Sequence, residues 1–331
     1  MTTSPRSLLA GHELRARKQL GQNFLAQPAV AEMIVARAGV SADEPILEIG
    51  AGLGALTIPL ARAARSVTAI ERDPRLVPLL RAELAAASVD NVRIVEMDAL
   101  EFDLAELARR EGGPLTVFGN LPYNISSQIV VMLMEARQHI RRAVLMFQRE
   151  LAQRLTAAPG ERGYGRITAL LTYCASVRRL AEVKAGRFYP LPKVDSEVLE
   201  VVFSGFEGDT PCHDEARLAR VIAAAFGRRR KTLKNALTGS ALGLSAEAVL
   251  KALARAGIDP SRRAETISPA EFVRLEKSLG GIEFYELRDR SGFTQLVLEG
   301  GKQDERIGLA CAYLLEHALA YLGTIKPTPS R

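Results

Sequence analysis

The 331-residue sequence contains only three cysteines and four histidines. Cys174, Cys212 and Cys311 are far apart and odd in number, so neither a disulfide framework nor a zinc cluster is expected. With histidine equally sparse, metal chemistry is not expected either. No apolar run approaches the roughly 18 residues that a membrane span needs, so no membrane partner is expected. The first twenty residues have no apolar core of the signal-peptide kind, so no leader is expected. Internal repeats and low-complexity tracts are also missing. What is present is 47% hydrophobic and 25% charged residues, an ordinary globular composition. The length fits about two domains.

The net charge of +6 is unevenly placed. Residues 1–25 carry four Lys/Arg against one acid, and residues 26–204 carry 21 against 21. Residues 205–280 carry 13 against 9, and residues 281–331 carry 6 against 7. A neutral body flanked by basic pieces points to an anionic partner held from two sides. The plainer alternative is a solvated surface rich in arginine, and charge alone does not separate the two.

After a polar, basic arm over 1–25, apolar spacing predicts a helix over 28–39. Strand and helix patterns then alternate. Strands are predicted at 45–49, 66–70, 92–95, 115–118 and 143–147, with helices at 55–64, 75–87 and 126–136. This order predicts an open, mostly parallel α/β sheet with helices on both faces. Beyond 203 the pattern becomes helical. A helix over 245–256 is stopped by Gly257, and Ser268-Pro269-Ala270-Glu271 reads as a capping box that starts another. The expected organisation is an arm over 1–25, an α/β domain over 26–204 and a small all-helical domain over 205–280. Residues 281–331 form an extension of no assigned role. Within it, 284–287 and 294–298 are compatible with a hairpin and 306–322 with a helix.

The segment Leu47-Glu48-Ile49-Gly50-Ala51-Gly52-Leu53-Gly54 ends the first strand and opens a helix. Glycines there permit a tight turn and close approach of a ligand to the backbone. Glu71, at the end of the second strand, can accept hydrogen bonds from both hydroxyls of a ribose. The pair marks a nucleoside-cofactor site at the carboxyl ends of the strands. Gly50, Gly52 and Ala55 also fit a dinucleotide fingerprint, which would make the chain a dehydrogenase. Glu48 before the glycines, and Asp98 at the end of the third strand, favour S-adenosylmethionine. A tight turn with no ligand is the structural alternative.

The fourth strand runs into Gly119-Asn120-Leu121-Pro122-Tyr123-Asn124-Ile125-Ser126. Pro122 cannot continue a sheet, and it leaves the Leu121 carbonyl free to face a cavity. The Asn120 side-chain carbonyl and the Leu121 carbonyl give two acceptors, and Tyr123 gives an aromatic face. That set suits a planar exocyclic amine. The amino lone pair of adenine is delocalised into the ring. Accepting its two N–H groups draws the nitrogen toward tetrahedral geometry and frees the lone pair for attack. A capped turn with a core tyrosine is the alternative for such a motif on its own.

With these residues in view, the chain resembles the ribosomal RNA adenine dimethyltransferases. Within them it closely resembles the bacterial small-subunit dimethyladenosine transferases. The likeness is carried in order by Lys18-Gln19-Leu20-Gly21-Gln22-Asn23-Phe24-Leu25, residues 48–54, Glu71, Asp98 and residues 120–126. It continues through Phe188-Tyr189-Pro190-Leu191-Pro192-Lys193-Val194-Asp195-Ser196, Arg229-Arg230-Lys231-Thr232-Leu233 and Arg263-Ala264-Glu265. It spans about residues 15–280. The resemblance implies a Rossmann-like S-adenosylmethionine methyltransferase sheet with a small all-helical C-terminal domain. It implies a cofactor site of Gln22, Asn23, Leu25, Glu48, Gly50, Gly52, Glu71, Asp98 and Asn120, with Gln22 positioning the arm. The catalytic set would be Asn120, Leu121, Pro122, Tyr123 and Phe188, with Tyr123 and Phe188 stacking on the target adenine. Phe188 taken alone would read as a core residue.

The densest positive run is 226–234. Beside an RNA-modifying site it reads as phosphate-contacting. The expected RNA contacts are Arg17, Lys18, Lys193, Arg228, Arg229, Arg230, Lys231 and Lys234. The resemblance implies N6,N6-dimethylation of two adjacent adenosines near the 3′ end of 16S rRNA, in 30S subunit maturation, by a monomeric cytoplasmic enzyme. A loop target would suit the pocket, because its bases unstack cheaply. Two other readings stay open: the same chemistry on large-subunit rRNA, and a non-catalytic ribosome assembly factor.

Overall fold

A computed structural model describes residues 3–203, 212, 214–228 and 230–280. The expected hairpin and helix within 281–331, and the side chain of Arg229, lie outside the described residues. The described chain divides into two units. The first comprises residues 3–153 and Ala175–Phe203, and the second comprises Arg154–Cys174 and the described residues from 212 onward.

The first unit holds nine strands among its described residues. These are β1 (Phe24–Leu25), β2 (Pro45–Ile49), β3 (Ser66–Glu71), β4 (Val92–Glu96), β5 (Leu115–Asn120), β6 (Ile140–Gln148), β7 (Ala175–Val183), β8 (Phe188–Tyr189) and β9 (Ser196–Phe203). Seven of them form one sheet in the order β4-β3-β2-β5-β6-β9-β7. The pairs from β4 to β6 are parallel, and β9 runs antiparallel between β6 and β7. The strand order reverses between β2 and β5, a crevice where α/β sheets bind ligands outside the carboxyl ends of their strands. Its helices are α1 (Pro5–Gly11), α2 (Pro28–Ala38), α3 (Thr57–Ala63), α4 (Val77–Ala86), α5 (Leu104–Glu111) and α6 (Ser126–Glu135), and α7 (Arg149–Leu155) begins in this unit and ends in the second. Every residue of β2 is buried. That is why it reads as a continuous apolar run with one acid rather than an alternation.

The second unit contains α8 (Arg166–Cys174), α9 (Glu215–Phe226), α10 (Leu233–Thr238), α11 (Ala246–Ala256) and α12 (Pro269–Ser278). The capping box is formed: the Ser268 amide donates to Glu271 Oε2 at 2.8 Å and the Glu271 amide donates to Ser268 Oγ at 3.2 Å. The excursion 154–174 packs in this unit rather than with the sheet, a difference from the expected 26–204 block. Its anchors are specific. Tyr164 Oη donates to the Ile267 carbonyl at 2.9 Å, and its ring lies 6.1 Å from Phe226. The Gly160 amide donates to the Glu265 carbonyl at 2.7 Å. Among the described residues no helix is long and apolar enough to cross a membrane.

The antiparallel side of the sheet carries buried charge. Glu200 on β9 and Glu44 before β2 are each 7% exposed or less. Arg142 on β6 pairs with Glu44 at 3.1 Å and with Glu200 at 3.2 Å, and it also donates to the carbonyls of Ala38 and Gly39 at the end of α2. The one guanidinium therefore joins α2, the entry to β2, β6 and β9. Removing one partner from a buried ionic network leaves the others unpaired in a poorly solvated site. Arg142→Ala is expected to lower stability by about 3 kcal/mol. Urea unfolding of the full chain checks this, and a loss below ~1 kcal/mol would show that the network contributes little.

Candidate functional site

At the carboxyl ends of β2, β3, β4 and β5 lies an open cavity. Its walls include Gln22, Asn23, Gly50, Gly52, Glu71, Asp98, Asn120 and Pro122. Eight residues named from widely separated sequence segments thus converge on one cavity. Gly50 and Gly52 adopt φ of 77° and 57°, a left-handed conformation that other residues enter only under strain. A Cβ on Gly52 would also stand 3.2 Å from the Phe24 ring.

Glu71 organises this turn. Its Oε2 accepts the Gly52 amide at 2.8 Å and its Oε1 accepts the Asp73 amide at 2.8 Å. Burial pushes the Glu71 carboxyl up, and the two amides partly offset that. A carboxylate has about four lone-pair sites. Two are used here, and the remaining two match the two hydroxyls of a ribose. After the neighbouring strand β4, Asp98 Oδ1 accepts the Leu100 amide at 3.1 Å, and Oδ2 pairs with Arg72 at 2.9 Å. These donors and acceptors fit a nucleoside with a sulfonium-bearing tail at least as well as they fit a dinucleotide.

The arm closes the third side. The Gln22 side chain accepts the Arg17 amide at 2.8 Å and donates to Asp73 Oδ2 at 3.0 Å. Asn120 Nδ2 donates to the Asn23 carbonyl at 2.9 Å. Sequence reasoning did not find Asp73 or Arg72. The run Glu71-Arg72-Asp73-Pro74-Arg75 carried a usable signal, because alternating charges straight after a strand end need partners.

Other expected site residues lie off the cavity wall. Leu25 and Leu121 are each 1% exposed, and Phe188 is 4% exposed. Leu25 and Phe188 are register partners in the β1–β8 pair and share one core cluster. The structure thus places the Phe188 ring in the core, where its isolated reading put it, and not as a free second stacking face. Tyr123 is half-buried, with Oη 3.3 Å from Ser196 Oγ. Among the expected RNA contacts, Arg17, Lys18, Lys193, Arg228, Arg230 and Lys231 are exposed and Lys234 is half-buried. The run from Arg228 to Lys231 precedes α10, which Thr232 caps.

Comparisons with known proteins identify relatives of the chain. The family model described as ribosomal RNA adenine dimethylase matches residues 13–280. A ribosomal RNA small subunit methyltransferase A from Desulforapulum autotrophicum is 50% identical over 279 residues, covering 84% of this chain and 96% of that protein. The protein of the same name from Geobacter sulfurreducens is 45% identical, covering 82% and 98%. Among solved structures, a dimethyladenosine transferase from Plasmodium falciparum superposes with a TM-score of 0.68 at 24% identity, covering 79% of this chain and all of that one. The 23S rRNA methyltransferase ErmE gives 0.59 at 28% identity, covering 77% and 99%.

Glu48 has a different place from the one expected. It is 1% exposed on β2 and does not reach the cavity wall. Its Oε2 has no hydrogen-bond partner. Burial, reinforced by the charge of Glu71, pushes its carboxyl up to about 7. The unfolded chain releases this proton near 4.5, the ordinary value. Between those values the folded state holds a proton that the unfolded state has lost, so stability falls as pH rises through that window and levels off above it. Glu48→Gln keeps the shape and removes the titration. Relative to the parent protein, its stability is expected to rise by about 3 kcal/mol between pH 5 and pH 8. Urea unfolding at both pH values reads the difference, and an equal difference at both would show that Glu48 ionises normally.

Proposed function

The chain belongs to the ribosomal RNA adenine dimethylase family, and on that premise we propose that it dimethylates N6 of two adjacent adenosines near the 3′ end of small-subunit rRNA. The observation that carries the reading is the position of Asn120. It stands at the carboxyl end of β5 and lines the same cavity as Glu71 and Asp98. A polar amide beside a nucleoside cradle is what N6 chemistry requires. The identities of 42–50% to small-subunit enzymes favour that target over large-subunit rRNA, which the name of ErmE records for that protein. A non-catalytic assembly role has no observation in its favour, because the cradle and the Asn120 amide are both in place. Cytoplasmic location and a monomeric state belong to the same proposal.

S-adenosylmethionine would supply an already activated methyl group. Glu71 would hold its ribose, Asp98 its adenine, and Gly50, Gly52 and Asn23 its remaining polar groups. The methyl donor needs no further activation, so the residues have two tasks: orientation and placed dipoles. Asn120 Oδ1 and the Leu121 carbonyl accept the two N–H groups of the target amine. This localises the nitrogen lone pair for in-line attack. Tyr123 holds the base by its ring face. No side chain here must act as a strong base, since the N6 proton becomes acidic once nitrogen carries the extra methyl and can pass to solvent.

Purified protein with labelled cofactor is expected to methylate 30S particles from cells lacking this modification, and to leave modified particles unlabelled. Asn120→Ala is expected to lower the rate about 100-fold, since it removes one placed dipole while filling no space. Its unfolding midpoint is expected to stay within a few degrees of the parent. Undiminished methylation by this variant would remove Asn120 from the reaction. Mapping the label to large-subunit rRNA would overturn the target.

A further inference from the structure

The arm touches the site at three points. Gly21, at φ 63°, lies against the loop after β5, where a Cβ would stand 2.9 Å from Asn124 Oδ1 and 3.2 Å from the Tyr123 amide nitrogen. The Asn23 carbonyl accepts Asn120 Nδ2 at 2.9 Å. Between them, Gln22 reaches the other way, to Asp73.

The chemistry fixes the orientation of both amides. The Arg17 amide is only a donor and the Asp73 carboxylate is only an acceptor, so Gln22 must turn Oε1 to the first and Nε2 to the second. The Asn23 carbonyl is only an acceptor, so Asn120 must turn Nδ2 toward it, which leaves Oδ1 for the other side. A free asparagine amide has no such preference. Flipped, it would offer an N–H to the target nitrogen and tie up the lone pair that must attack.

Asp73 is built to be the fixed end of this chain. Its side chain is fully buried. Oδ1 accepts Arg75 Nε at 2.9 Å, Oδ2 accepts Arg75 Nη2 at 2.7 Å, and Arg17 stands 3.9 Å away. The Asp73 amide is itself held by Glu71. The Arg75 guanidinium and the Gln22 amide keep its carboxyl near 2 despite burial, so it stays ionised through the working range of pH.

Resting on the function proposed above, we propose that Asp73 is a positioning residue for methyl transfer: through Gln22 it fixes the arm, and through the Asn23 carbonyl it fixes which end of the Asn120 amide faces the target amine. Asp73 would touch neither reactant.

The test removes the Gln22–Asp73 contact while leaving Asp73 and its Arg75 pair unchanged. Gln22→Glu sets two carboxylates against each other, and Gln22→Met removes the amide altogether. Each is expected to lose about tenfold in kcat at saturating cofactor and 30S particles, less than the ~100-fold cost of a fully misplaced reacting group. Hydrogen exchange at the amides of residues 17–23 is expected to quicken in both. If the deficit lies only in the KM for cofactor, or both variants keep the parent's kcat while folded, the proposal is overturned. If the parent protein methylates nothing, the function proposed above fails instead, and hydrogen exchange still decides whether Asp73 holds the arm.

Discussion

A buried carboxylate between two backbone amides is the constraint on which the site depends. Glu71 ends β3, and its two oxygens take the amides of Gly52 and Asp73. A carboxylate is costly to bury unless hydrogen-bonded. The glycine turn after β2 and the turn after β3 are therefore not independent loops. Each supplies the donor that makes Glu71 tolerable, and each is in turn held in place by it. From Asp73 the same logic runs through Gln22 to the arm, and from the arm to Asn120. The cavity keeps its shape as one connected set of hydrogen bonds, not as a collection of separate loops.

Behind the cavity, the sheet solves a second charge problem. β9 is buried on both faces over residues 196–201, yet it carries Glu197 and Glu200 there. Arg178 stands opposite Glu200 in register on β7, and Arg142 reaches it from β6. Arg149 and Arg179 approach Glu197. The cross-strand pairs let an acid-bearing segment occupy the interior of a sheet. They also hide the strand from sequence reasoning. A run such as Ser-Glu-Val-Leu-Glu-Val-Val-Phe has neither clean alternation nor continuous apolar character. Its partners are 18 to 58 residues away.

The parallel half of the sheet was legible because its strands are short apolar runs separated by helical spacing. The predicted strand at 66–70 matches β3 to within one residue, and the helix over 126–136 matches α6. The predicted strand at 143–147 is longer as β6, since Arg142 lies within it and reads as polar. The helix α8 was not predicted. It belongs to an excursion whose Tyr164 and Gly160 find their partners more than a hundred residues on. At the site, Glu71, Asp98 and Asn120 were legible because each ends a strand beside a turn. Leu25 and Phe188 carry a family pattern, but burial was decided by their pairing with each other.

The sequence by itself determined the order of elements in the parallel half of the sheet and the family. Those rest on local features: glycines at a turn, acids at strand ends, proline after asparagine. Only the tertiary structure decided which acids face the cavity. Glu48 and Glu71 both sit at the ends of adjacent strands, but one points into the core and the other accepts two amides. Only the fold decided that Asp73 meets Gln22 across 51 residues. Partners at that separation are set by how strands stack, and no local pattern encodes them.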